Sequence, residues 1–378
     1  MRCYNSYVEI DLGKVCKNIQ SVEAELGQGV QVIPVLKCDA YGLGLIPVAQ
    51  AIAAGTAVRM FAVAQVGEAA LLREAGIEQD ILVLSGVPQA HFPLAVQLGI
   101  QLCVYSVQMI EALGAEAARQ RRMTKIQLKI DTGLNRLGPH PGEELAQVLE
   151  ALRRQPWLEV TGAYSHFVDG EVHGSPLARQ QLALYRQALH QVEAAGFAAP
   201  LRHLSASGAT DWLPEANFNA VRIGRRLQMD SPGIACVSDA PTRIEEAASW
   251  RAQIVHLRPV RPGDTVGYDG AFRVEQPGTV AVISVGYGDG LDERMGPARA
   301  PLLVGAEGHP ARYLSVCMDQ AVVDVTGIPC RVGDEVTVFG HASGGAFLSA
   351  QKAAASLGHE GVYLTSRLGP RVERRYVG

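Results

Sequence analysis

Between residues 32 and 224 the chain alternates eight short apolar runs with longer stretches of helical periodicity, and this alternation constrains its fold more than any other feature. The runs fall at 32–37, 60–65, 81–85, 101–105, 125–131, 159–166, 201–207 and 220–224. Between most of them lie segments such as 68–75, 143–154 and 179–195, whose apolar residues recur at helical spacing. Short apolar runs bounded by turn residues read as buried strands of a parallel sheet. Parallel neighbours need long crossovers, which helices supply. Eight such units in a row favour closure into a (β/α)8 barrel of the TIM type over an open, doubly wound sheet. A barrel of this kind carries its chemistry at the C-terminal strand ends, often with phosphate held after strands 7 and 8.

From about residue 238 the texture changes. Short β-rich runs at 252–257, 279–285, 320–325 and 335–339 are separated by turns such as Arg261-Pro262-Gly263-Asp264 and Val332-Gly333-Asp334. That pattern predicts a smaller, mainly antiparallel β domain. The strand-like Tyr7-Val8-Glu9-Ile10 is expected to join it. The expected division is therefore an α/β barrel over 11–237 and a β-rich domain built from 1–10 plus 238–378.

Composition bears on partners and compartment. A net charge of −4 argues against nucleic acid or an anionic membrane, both of which select basic surfaces. The most apolar stretch, 45–72, is interrupted by Gln50, Arg59, Gln65 and Glu68, so no span is expected. Met1-Arg2-Cys3-Tyr4-Asn5 lacks the apolar core of a signal peptide. The seven cysteines, at 3, 16, 38, 103, 236, 317 and 330, form no CxxC pair and no Cys/His ligand cluster. Reduced, mostly buried thiols in a cytoplasmic protein are expected, with no metal.

The expected strand ends are polar. Lys37 closes the first, Asp131 and Arg136 follow the fifth, and His166 ends the sixth. Ser207 ends the seventh, and Arg222, Gly224 and Arg225 end the eighth. Lys37 has two readings: a side chain reaching solvent, or one whose ammonium form desolvation disfavours, as in Schiff-base lysines. His166 reads either as a packed core histidine or as a site residue. Ser207 and Gly224 suit ordinary turns as well as a phosphate cradle.

The stretch Lys37-Cys38-Asp39-Ala40-Tyr41-Gly42-Leu43-Gly44 resembles the pyridoxal-phosphate signature of the alanine racemase family, usually Lys-Ala-Asn-Ala-Tyr-Gly-His-Gly. The likeness runs along nearly the whole chain. Val8-Glu9-Ile10-Asp11-Leu12, Asp131-Thr132-Gly133-Leu134-Asn135-Arg136-Leu137-Gly138, Tyr164-Ser165-His166-Phe167, Ser205-Ala206-Ser207-Gly208-Ala209 and Val221-Arg222 with Gly224 follow in order. Gly267-Tyr268-Asp269-Gly270, Val285-Gly286-Tyr287-Gly288-Asp289-Gly290 and Cys317-Met318-Asp319-Gln320 complete the series.

The resemblance implies an amino-acid racemase, with alanine as its expected substrate and pyridoxal 5'-phosphate as cofactor. Lys37 would hold the cofactor and serve one face of the substrate Cα. Tyr268, from the partner subunit of a homodimer with composite active sites, would serve the other. Ser207, Gly224 and Tyr41 would contact the phosphate. Arg222 would face the pyridine nitrogen and keep it unprotonated, since guanidinium only donates. His166 would stack or bond nearby. Arg136 and the backbone near Met318 would bind the substrate carboxylate. Lys129 matches a lysine that is carbamylated in many members and orients the arginine.

Several blocks depart from the family pattern. The usual Arg-Pro-Gly-Ile is Arg222-Ile223-Gly224-Arg225, followed by Arg226. Arg225 would either add a charge-assisted contact to phosphate or point to solvent. Cys38-Asp39 replaces Ala-Asn, Leu314-Ser315 replaces a Gly-Arg pair, and Pro370 stands where some relatives carry a phosphate-binding tyrosine. These changes leave serine or a broader substrate range as the alternative. A barrel-type decarboxylase, which shares the lysine strand, is the second enzyme alternative. A non-catalytic pyridoxal-phosphate-binding barrel would lack the β domain altogether.

Overall fold

The structure, a computed structural model, describes residues 4–230 and 244–378, which form two compact units. One comprises Cys16–Ala40 and Leu45–Ile244, and the other Met1–Val15, Tyr41–Gly44 and Glu245–Gly378. The expected boundary at 237/238 lies outside the described residues, as do Cys3 and Cys236.

Eight parallel strands build the first unit: β2 (Gln31–Pro34), β3 (Met60–Val63), β4 (Asp80–Val83), β5 (Gln101–Val104), β6 (Thr124–Lys129), β7 (Leu158–Tyr164), β8 (Leu201–His203) and β9 (Ala220–Ile223). Strands β3 to β8 pair in chain order, and β2 pairs with β9 through Val32↔Val221 and Ile33↔Arg222. Single bridges, Val35↔Ala62 and Ala206↔Arg222, join the two sheets, so the ring closes as a (β/α)8 barrel. Helices such as Val66–Glu74, Glu143–Arg153 and Pro176–Ala194 cover it and match the periodic segments of the sequence. Most strands have both faces buried, which is why they read as unbroken apolar runs.

Beyond β2 the chain makes an unusual turn. Cys38, Asp39, Ala40 and Tyr41 all have φ between 52° and 56°, a left-handed turn made without glycine. Each residue there costs roughly 1–2 kcal/mol, so the surroundings must hold it. The Cys38 N–H donates to Glu68 Oε1 at 2.7 Å, and the Leu45 N–H donates to Asp39 Oδ1 at 2.7 Å. Glu68 Oε2 also accepts from Ala64 N and Gln65 N, so one carboxylate ties this turn to the loop after β3.

The second unit is a strand barrel of different build. β10 (Ala248–Val260), β13 (Gly278–Ile283), β16 (Ala321–Asp324), β15 (His309–Val316), β14 (Pro301–Val304) and β17 (Glu335–His341) pair antiparallel in that cyclic order. The thirteen-residue β10 closes the ring because register shifts at 250/251 and 254/256 bend it. β1 (Ser6–Asp11) pairs antiparallel with β10 and parallel with β19 (Val372–Val377). Trp250 and Phe339 meet edge to face at 6.0 Å within its core. Two turns are built alike: Arg261 N donates to Asp264 Oδ2 and Arg331 N to Asp334 Oδ2, with Gly263 and Gly333 both at φ 94°.

The expectation of mostly buried thiols needs correction. All five described cysteines are free, yet only Cys103 is buried, and Cys38 is exposed. The others lie on a helix flank, a loop and turns rather than on inward strand faces, so packing does not enclose them.

Candidate active site

Side chains on one face of a strand are two residues apart. At the ends of β6 to β9 this rule points Lys129, Tyr164, His203 and Arg222 into the barrel, where all are buried. Arg222, 4% exposed, organises the group. Its Nη1 donates to His203 Nδ1 at 2.7 Å and to His203 O at 3.1 Å. Its Nη2 reaches His166 Nδ1 at 3.0 Å, Ser165 O at 2.9 Å and Leu204 O at 3.0 Å.

Guanidinium has no acceptor, so both Nδ1 atoms must accept, and each neutral imidazole carries its proton on Nε2. His203 Nε2 then donates to Gln127 Oε1 at 2.7 Å, and Gln127 Nε2 to Gln101 Oε1 at 3.2 Å. Thr161 Oγ1 closes the chain 3.0 Å from Gln101 Oε1. The His203 ring also stacks on Tyr164, with centroids 4.9 Å apart, and Tyr164 Oη donates to Leu84 O.

Charge reinforces this tautomer choice. Burial first, then the Arg222 and Lys129 charges, hold His203 well below the usual histidine range. His166 is held down by burial, Arg222, Lys129, Arg136 and Lys37. Lys129, 3% exposed, donates to Ile130 O at 3.0 Å. Burial and the neighbouring Arg222 push its ammonium down to about 7, with Asp131 and Cys103 resisting and Arg136 adding to the fall. Asp131 accepts from Gly133 N at 2.7 Å and Arg136 N at 2.9 Å. Burial raises its carboxyl, but those amides and that of Asn135, with Lys129, outweigh it and leave the group lowered.

Lys37 is half-buried and Arg136 is exposed. Ser207 and Gly224 are buried, and the Gly224 N–H donates to Ser207 Oγ at 3.3 Å, so the turns after β8 and β9 meet. Arg225 donates to Glu171, on the loop after β7. Arg226 turns away, to Glu25 at 2.7 Å and Thr210 at 3.1 Å.

The second unit gathers the remaining candidates. Tyr268 follows Gly267 (φ 84°) in a short turn and is 74% exposed. A Cβ at Gly267 would fall 2.4 Å from Ser315 Oγ, which places this turn against the strand leading to Cys317 and Met318. Met318, 52% exposed, accepts at its carbonyl from Gly288 N at 2.8 Å, and Cys317 O accepts from Tyr287 N at 2.9 Å. Arg371 braces both loops, donating to Asp289 at 2.9 Å and Asp319 at 2.7 Å. Tyr41 is half-buried in the left-handed turn and groups with this unit.

His203, Gln127, Glu171 and Glu68 were not singled out from sequence. The first two share a strand face with Ser205 and Lys129, so a strict two-residue count would have found them. Glu171 and Glu68 act through loops and carry no such signal.

The family model described as Alanine racemase, N-terminal domain matches residues 10–232, and the one described as Alanine racemase, C-terminal domain matches residues 247–376. The alanine racemase of Thermobifida fusca is 34% identical over 377 residues, covering 98% of this chain and 97% of its own length. The solved alanine racemase of D-cycloserine-producing Streptomyces lavendulae superposes with a TM-score of 0.93 at 30% identity, covering 100% of this chain and 98% of that one. That of Bacillus anthracis, with bound L-Ala-P, superposes with a TM-score of 0.91 at 26% identity, covering 100% of this chain and 96% of that one.

Proposed function

We infer the activity from one premise: this chain belongs to the alanine racemase family, whose members are pyridoxal-phosphate-dependent isomerases. The reaction proposed is the interconversion of L- and D-alanine. The observation that carries it is Arg222, a donor-only cation clasped by two neutral histidines where the barrel strands end.

The residues fit pyridoxal phosphate. The turns carrying Ser207, Gly208, Gly224 and Arg225 already hold an anionic group, the Glu171 carboxylate, which lies on Gly208 and accepts from Arg225. Such a cradle suits the phosphate, with Ser207, Gly224, Arg225 and Tyr41 as its contacts. Arg222 suits a pyridine nitrogen that accepts. When bound, the cofactor supplies an electron sink that stabilises a carbanion at the substrate Cα. A neutral pyridine would be a weaker sink than a pyridinium, and Arg222, which can only donate, would keep that nitrogen unprotonated.

The chain's own residues do the rest. Lys37 would hold the cofactor and would move a proton at one face of the substrate Cα. Tyr268 of the partner subunit moves a proton at the opposite face, since racemisation needs one group on each side. Its exposure in the single chain supports a homodimer in which a second copy covers it. Arg136 and the Met318 backbone hold the substrate carboxylate. Lys129, pushed to about 7, is partly a free amine at neutral pH, the form that takes up carbon dioxide, and a carbamate there would orient Arg136. The bound L-Ala-P of the Bacillus anthracis relative supports a small amino-acid pocket. Among the described residues no helix is long and apolar enough to cross a membrane, and a cytoplasmic location fits the free thiols.

The test is D-amino-acid formation by cofactor-loaded protein from L-alanine, L-serine, L-lysine and L-arginine. Alanine turnover well above the rest is expected. A serine-led or flat profile would transfer the reading to a broader racemase, and release of carbon dioxide with no D-product would overturn it.

A further inference from the structure

Glu171 occupies a peculiar position. A Cβ on Gly208 would fall 2.1 Å from the Glu171 Cδ and 2.2 Å from each carboxylate oxygen, so the carboxylate lies directly on the Gly208 backbone. Arg225 donates to one of those oxygens. The other, Oε2, is buried without a hydrogen-bond partner. The loop is pinned in place: Trp212 Nε1 donates to Gly170 O at 2.8 Å, and Ser175 Oγ to Asp169 Oδ2 at 2.5 Å.

A buried carboxylate oxygen with no donor is costly, and evolution of a stable fold alone gives no reason to keep it there. An anion packed on a glycine and held by one arginine is a small anion site filled by the chain itself. We propose that Glu171 competes with the cofactor's phosphate for Arg225 and for the space over Gly208. This rests on the reading of Ser207 and Gly224 as the phosphate cradle.

The argument is electrostatic. Phosphate and carboxylate are like charges, and the two cannot share one cradle at contact distance without strong repulsion. Cofactor entry therefore displaces Glu171 and frees Arg225, whose planar fork suits phosphate. The pattern of the family carries isoleucine at the position of Arg225, and the extra cation here is matched by an anion that neutralises it while the cradle is empty. Arg225 strengthens cofactor binding, and Glu171 takes back part of that gain.

The test compares pyridoxal phosphate with pyridoxal, which lacks the phosphate, as ligands of the full-length chain stripped of cofactor. Affinity is read from the visible absorbance of bound cofactor and from quenching of tryptophan fluorescence. Glu171→Ala and Glu171→Gln should each tighten pyridoxal phosphate binding about tenfold and leave pyridoxal unchanged. Arg225→Ile should weaken pyridoxal phosphate alone and abolish the gain from Glu171→Ala in the double variant. Unchanged or weaker pyridoxal phosphate binding by both Glu171 variants would overturn the competition. An equal gain for pyridoxal would overturn it too, because the effect would not reside at the phosphate. Ser207→Ala separates the two readings. If it spares the preference for pyridoxal phosphate over pyridoxal, the cradle itself is misplaced. If it erodes that preference while the Glu171 variants do nothing, the cradle stands and the competition falls.

Discussion

The two units hold their candidate residues in opposite ways. In the (β/α)8 barrel, Arg222 and Lys129 are almost wholly enclosed, and each group fixes the protonation of the next. In the β unit, Tyr268 and Met318 project outward, at 74% and 52% exposure, from turns braced beneath by Ser315, Asp289 and Arg371. The barrel group is preorganised: its field exists before any ligand arrives, at the expense of desolvation. The β-unit group has fixed backbone positions but no buried field of its own. It stands open to solvent in the single chain.

Activity should respond to both groups, and stability to only one. Lys37→Ala is expected to abolish racemisation together with the visible absorbance of covalently held cofactor. Tyr268→Phe should lower turnover by roughly 10²- to 10⁴-fold, the usual worth of a positioned acid–base group, while that absorbance stays. Full activity of Tyr268→Phe in a D-alanine assay would break the two-sided scheme.

Stability should divide the other way. Arg222→Leu strips the donor from two imidazoles and three carbonyl oxygens, and at about 1–3 kcal/mol for a buried acceptor left without a donor its cost in denaturant unfolding should be at least about 3 kcal/mol. Tyr268→Phe, on the surface, should stay within about 0.5 kcal/mol. Equal losses for the two would mean that the contrast between the units is one of exposure only.

The contrast also explains what sequence could show. Eight strands, their order and the polar residues at their ends were legible because strands buried on both faces leave unbroken apolar runs. His166, Ser207 and Arg222 followed from that. The outcome for Arg225 did not, because its partner Glu171 arrives from a loop more than fifty residues earlier in the chain. The left-handed turn at 38–41 was hidden as well: it contains no glycine, and the carboxylate that holds it, Glu68, belongs to another strand–helix connection. In the β unit, β14 and β15 escaped notice. His309-Pro310-Ala311-Arg312 and Pro301 break the strand pattern, and long-range pairing with β16 and β17 settles their state instead.

The smallest effect distinguishes the units by sign. His166 and His203 are held well below the ordinary histidine value of about 6.5. As pH falls through that value, the unfolded chain gains protons that the folded barrel refuses, so the barrel loses stability. Each histidine contributes up to about 1.4 kcal/mol per pH unit to that loss. Glu246, in the β unit, behaves in reverse. Burial raises its carboxyl to about 7, against the opposing pull of the Ala350 amide and Lys14. Between roughly 4.3 and 7 it keeps its proton when folded and loses it when unfolded, so its unit loses stability as pH rises. Urea midpoints measured from pH 5 to 7.5 should therefore shift oppositely in two variants. His203→Gln, which retains a polar partner for Gln127, should flatten the acid loss. Glu246→Gln should flatten the loss toward neutral pH. Parallel shifts in the two would show that one network, rather than two separate ones, sets the pH dependence.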